Sequence, residues 1–185
     1  EELARADAPP ILGRAGVSLV GPTLMVHGTE EQRRRWMRRI LSGADIWCQL
    51  FSEPDAGSDL AALSTRAEQG SGNYVVTGQK CWQSYAQDMD CLWLLCRTGA
   101  PESRSRGLSL LVVDLDARGV SVSPLPTLDG DQLNEIHLDG VEVPVDRRVG
   151  PEGGAWGILA QALADERHIQ FPPGRVRRDL EEVAA

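Results

Sequence analysis

Between residues 46 and 150 the apolar residues of this chain come in short runs, each closed by a cluster of Gly, Pro or Asp. The runs are "IWCQLF", "NYVVTG", "DCLWLLCR", "LSLLVVDL", "GVSVSPL" and "NEIHLDGVEVP". They are rich in β-branched and aromatic side chains, which suit a pleated, half-buried surface. That spacing predicts an all-β body, a sandwich or a barrel. Ile136, Leu138, Val141 and Val143 alternate around Asp139-Gly140, a pair favoured in tight hairpins and bulges. "TGAPESRSRG" reads as a polar surface loop.

The two ends read as helix, which makes the fold class α+β, with a helical segment on either side of the β body. Residues 1–45 contain Thr29 and Gln32 at the spacing of a capping box. Trp36, Met37, Ile40 and Leu41 then recur at helical spacing, and Gly43 supplies the stop. Arginines 33, 34, 35, 38 and 39 surround that stripe, as on a solvated helix face. In residues 151–185, Trp156, Leu159, Leu163 and Glu166 fall on one predicted helical face. Pro172-Pro173-Gly174 end that helix, and "RVRRDLEEVAA" can begin another.

Composition excludes several functions. The net charge is -8, from 19 basic against 27 acidic residues, and unspecific nucleic-acid binding needs a basic face. Cys48, Cys81, Cys91 and Cys96 form no C-x-x-C pair and no Cys/His cluster, so no metal is expected and a reducing cytoplasm suits the free thiols. No apolar run approaches the roughly 18 residues of a membrane helix. The N-terminus has no signal layout and no initiating Met, and the chain reads as part of something longer.

The stretch "WCQLFSEPDAGSDLAALS" places a bent polar loop directly after an apolar strand. Pro54 and Gly57 turn the backbone, and Ser58 or Asp59 can cap a short helix "LAALS". Such a helix start leaves N–H groups free to meet a phosphate or carbonyl oxygen. Further on, Trp82 and Ser84 follow a Gly-Gln-Lys turn. A flat heteroaromatic ligand would use all three elements: polar groups at its edge and an indole against its face. A capped turn, a core Trp and an idle Ser are the alternative.

With "SEPDAGSD", "YVVTGQKCWQS", "NEIHLDGVEVP" and "GGAWGILAQALADERH" in this order, the sequence resembles the flavin-dependent acyl-CoA dehydrogenases. The resemblance implies the end of an N-terminal helical domain over 1–45, a flavin- and acyl-CoA-binding β-barrel over 46–150, and the start of a C-terminal helical bundle over 151–185. It implies FAD as cofactor, an acyl-CoA substrate, an electron-transfer acceptor, and a homo- or hetero-oligomer. Gln49, Ser52, Gly57 and Ser58 match the family's flavin-binding segment, with Ser52 at the pyrimidine edge and Ser58 near the phosphates and the pantetheine. Trp82 matches the tryptophan packed on the flavin. Ser84 matches the hydroxyl that reaches flavin N5, the atom that receives the hydride.

The implied reaction removes an α-proton from the thioester while the β-hydride leaves for the flavin. A carboxylate in a dry pocket serves as base, because desolvation strengthens it. Glu166 occupies the place of that base in some family members, with Arg167 beside it to position the substrate. His168 is the alternative acid/base group. An oxidase of the same fold, a non-catalytic or truncated scaffold subunit, and a flavin-free acyl-CoA-binding module are the competing readings.

Overall fold

The computed structural model describes residues 2, 6, 8, 11, 13–128, 132–170 and 173–184, and of 165–170 and 175 the backbone only. The middle of the chain is one eight-stranded sheet. Its strands are β1 (Trp47–Leu50), β2 (Arg66–Gln69), β3 (Asn73–Ser84), β4 (Cys91–Arg97), β5 (Leu108–Asp114), β6 (Val120–Pro126), β7 (Gln132–Pro144) and β8 (Arg148–Val149). They pair in the order β6-β7-β3-β2-β4-β5-β8, with β1 parallel to β4 off that path.

The centre of the sheet is β4, buried at every position. Side chains alternate across a strand. Cys91, Trp93 and Leu95 therefore enter one core, and Leu92, Leu94 and Cys96 enter another. β5 divides in the same way, with Leu108, Leu110 and Val112 on one side and Leu111 and Val113 on the other. A strand buried on both faces reads as a continuous apolar run, which is what "CLWLLC" is. The second core is closed by Tyr74, Val76, Ile136, Leu138, Val141 and Val143 from β3 and β7, so the sheet curls around it.

The first core is shared with helices. A π-helical turn (Gly16–Val20) runs into α1 (Gly21–His27), and α2 (Glu30–Ser42) follows. Pro22 has no N–H and crowds the carbonyl four residues back; it stands where the wide turn gives way to regular helix. The capping box is formed: Thr29 Oγ1 accepts from Gln32 N at 3.2 Å, and Thr29 N donates to Gln32 Oε1 at 3.0 Å. Gly43 closes α2 with a left-handed φ of 69°. Trp36 and Ile40 are buried and Met37 packs against the core, but Leu41 is 70% exposed and lies off the predicted stripe. Gln32 Nε2 donates to the carbonyls of Asp146 (2.7 Å) and Arg148 (2.8 Å), which fixes α2 to the sheet. The arginines of α2 behave as a solvated face, with Arg39 paired to Asp45 and Arg34 to Glu30.

At the other end α3 (Ala155–Gln170) and α4 (Pro173–Ala184) are two helices, and Pro173 and Gly174 form the first turn of α4. The buried face of α3 is Ala155, Ile158, Leu159 and Ala162. Trp156, predicted to share a face with Leu159, is 43% exposed instead. One residue before it, Ala155 takes the inward position because α3 starts right against β5.

One further expectation changes, and another is narrowed to one of its two alternatives. Gly78-Gln79-Lys80 is not a turn but the middle of β3, whose pairing with β7 runs through it. Asp139-Gly140 lies inside β7, where Val76 opposes Val141 but Gly78 opposes Leu138. The extra residue on β7 makes this a bulge and not a hairpin.

Candidate ligand site beside Trp82

The loop after β1 is anchored by a buried charge. Lys80 is fully buried, and its Nζ donates to Phe51 O at 2.9 Å and Glu53 Oε1 at 2.8 Å. The Glu53 carboxylate also accepts from Ser64 N (2.6 Å), Ser64 Oγ (2.8 Å) and Thr65 N (2.9 Å). Burial pushes the Glu53 carboxyl up, but the ammonium and these hydrogen bonds outweigh it and hold it at about 2. Burial pulls Lys80 below its ordinary value, with Glu53 opposing. The main chain completes the clamp, with Cys81 N donating to Ser52 O at 3.0 Å. Gly78 permits the close approach, because a Cβ there would lie 2.4 Å from Thr65 Oγ1.

Farther along, the loop opens to solvent at Gly57 and Ser58. The predicted short helix is a single 3-10 turn, Leu60–Ala62, without a side-chain cap from Asp59. The Asp59 carboxylate accepts instead from Arg104 Nη2, at 2.8 and 2.7 Å. Behind it, Arg97 donates to the carbonyls of Ala61, Leu63 and Arg104, joining this loop to the 101–107 turn.

The opposite side is strained. Between Lys80 and Gln83, β3 carries one residue more than β7. Trp82 holds a φ of 70° and Tyr85 a φ of 53°, both left-handed and neither glycine. Each such residue costs on the order of 1–3 kcal/mol, and such strain collects at functional sites. The Trp82 side chain is 61% exposed, an unusual setting for an indole next to a core.

Gln49, Ser52, Trp82 and Ser84 meet at one cavity of about 830 Å³, bordered also by Ser18 of the π-helical turn and by Ala15 just before it. Tyr85, which sequence reasoning did not single out, lines it too. Two lining residues carry buried polar atoms without a protein partner among the described residues: the donor Trp47 Nε1 and the acceptor Gln83 Oε1. Cys48 and Cys81 also border the space. Burial pushes the Cys48 thiol up to about 12 and raises Cys81, so neither offers a thiolate nucleophile. A cavity of this size with an exposed aromatic face and two hydroxyls suits a flat, polar-edged ring.

The other predicted site residues stand apart. Gly57 and Ser58 are exposed and outside the cavity lining. Glu166 belongs to the backbone of α3, while the side chains of Glu166, Arg167 and His168 lie outside the described residues. Lys80 and Glu53 left no signal in the sequence, since a charged pair in a strand and a loop reads as solvated.

Two domain profiles match the chain: that of the acyl-CoA dehydrogenase N-terminal domain over residues 1–44 and that of the middle domain over residues 48–141. The chain belongs to the acyl-CoA dehydrogenase family. The Tcur3481-Tcur3483 steroid ACAD has a similar structure, with a TM-score of 0.90 and 38% identity over 99% of this chain and 47% of that one. The ChsE4-ChsE5 complex from Mycobacterium tuberculosis gives a TM-score of 0.82 and 39% identity over 89% of this chain and 42% of that one. Acyl-CoA dehydrogenase IpdE1 of M. tuberculosis is 41% identical over 91% of this chain and 44% of its own length. The chain spans about half the length of the curated relatives it matches. No described helix is long and apolar enough to cross a membrane. Among the described residues, no group of three His, Cys, Asp or Glu could hold a metal ion.

Proposed function

We propose that this chain is a part or subunit of an FAD-dependent acyl-CoA dehydrogenase and forms the wall against which the flavin lies. The convergence of Gln49, Ser52, Trp82 and Ser84 on one cavity carries the reading. FAD, when bound, supplies the acceptor for the β-hydride of the thioester. The Trp82 indole offers the ring a face, and the Ser84 hydroxyl offers a donor at its reactive edge. Ser52 and Gln49 serve the other edge. Gly57 and Ser58 are assigned to the cofactor phosphates and the pantetheine of the substrate.

Glu166 is assigned the α-proton and Arg167 the placement of the thioester. The division into 1–45, 46–150 and 151–185 belongs to the same reading, as do an oligomeric assembly, an electron-transfer acceptor and a cytoplasmic location. The steroid named for one 38% identical neighbour favours a bulky polycyclic acyl group here.

The test is a visible spectrum of the purified chain with FAD, before and after anaerobic addition of acyl-CoAs that include a steroid side-chain thioester. Bound flavin that bleaches, with bleaching lost in Glu166→Gln, is the expected result. Bound flavin that no thioester bleaches would make the chain a scaffold, and absence of bound flavin would remove the cofactor role. Rapid oxygen consumption on reoxidation would assign an oxidase.

A further inference from the structure

The corner at Trp82–Tyr85 adopts a conformation that its own backbone disfavours, so something outside it must hold it. Asn134 on β7, from the motif "NEIHLDGVEVP", lies opposite Gln83 and is fully buried. Its Nδ2 donates to the main-chain carbonyl of Gln83 at 3.0 Å and to Gln87 Oε1 at 2.8 Å. The orientation of each amide is fixed by groups that can only accept. Gln83 O is a carbonyl, and Gln87 turns its Nε2 to the Asp88 carboxylate at 2.8 Å. Two residues before Asn134, β7 adds a main-chain bond, Tyr85 N to Gln132 O at 3.1 Å. The strained segment is thus gripped at residues 83, 85 and 87, while Asn134 itself is no part of the cavity lining.

We infer that Asn134 is a positioning residue: its amide N–H groups hold the bulged end of β3, and through it Trp82 and Ser84, in the arrangement the cavity ligand requires. The ligand arm of this inference rests on reading the cavity as a flavin site; the conformational arm does not. Gln87 shares the role, because it relays the grip of Asn134 to the turn after Tyr85.

Asn134→Asp keeps the shape but puts a carboxylate oxygen where two acceptors need a donor. Gln87→Met, at an exposed position, removes one of the two acceptors and leaves the fold intact. Hydrogen exchange of residues 83–88 is measured on the ligand-free chain. FAD affinity is measured by flavin fluorescence in the wild type, in each variant, and in Trp82→Ala with and without Asn134→Asp. Asn134→Asp should speed exchange across 83–88 and weaken FAD about tenfold, Gln87→Met less. In the Trp82→Ala background, Asn134→Asp should cost clearly less affinity than in the wild type, leaving only the part that passes through Ser84. Unchanged exchange would overturn the inference. So would an equal loss of affinity with and without Trp82, which would mark Asn134 as a general structural residue. If the wild type binds no FAD, the flavin reading fails on its own and the exchange of 83–88 still decides whether Asn134 holds the corner.

Discussion

The loop that carries Ser52 hangs from a buried ion pair, whereas the corner that carries Trp82 and Ser84 hangs from neutral amides around two left-handed residues. Both border one cavity. On the first side the backbone is relaxed, and a desolvated charge supplies the constraint. On the second no charge is buried, and the backbone itself stores the strain. A buried ion pair fails abruptly when one partner is removed, because the other stays uncompensated. A strained corner fails the other way: relaxing it stabilises the chain and disorders the wall.

The largest test of this contrast is Lys80→Met, which leaves the Glu53 carboxylate buried without its cation. It should lower stability by about 3–5 kcal/mol in urea unfolding, and a loss below about 1 kcal/mol would mean that the pair does not anchor the loop. Adding Glu53→Leu should restore only part, since Ser64 N and Thr65 N then lose their acceptor. The same pair sets an acid limit. The folded carboxyl titrates at about 2, below its ordinary 4.5. Its contribution is therefore complete above about 4.5 and lost as pH falls toward about 2. An acid titration of Lys80→Met should show less of that loss.

Gly78→Ala comes next, at about 1–3 kcal/mol, because its methyl would meet the backbone of Thr65. On the strained side the sign reverses. Tyr85→Gly should raise the thermal midpoint by the equivalent of about 1 kcal/mol, and FAD affinity should fall in parallel. A variant that is both more stable and equally tight would remove strain from the account of this wall. The smallest effect is expected for Asp59→Asn, which breaks the exposed pair with Arg104 and should shift stability by no more than about 0.5 kcal/mol.

Much of the architecture was readable because local chemistry and tertiary role agree. The capping box at Thr29, the stop at Gly43 and the doubly buried β4 needed no partner elsewhere to be legible. β2 escaped because "RAEQ" presents one buried residue, Ala67, and is held as a strand by its pairing, with β3 across the short turn at 70–72 and with β4 at Arg66 and Arg97. Lys80 escaped for a related reason: nothing in "GQK" tells that Glu53, 27 positions earlier, will reach it. Trp82 and Ser84 were found as a pair through resemblance, yet the left-handed backbone that turns the indole outward has no signature in a tryptophan. Tyr85 shares that conformation and was invisible for the same reason.

The central strand carries a last consequence. With alternate residues of β4 rooted in the helix-lined core and in the core enclosed by the sheet, neither layer can melt and leave the other's packing whole. Helices and sheet are joined into one cooperative unit, and the amides of residues 91–97 belong with the slowest to exchange, opening only when the whole unit does. The cavity lies against that unit, between a π-helical turn and a bulged strand end, with Trp47, Cys48 and Gln49 of β1 as its floor.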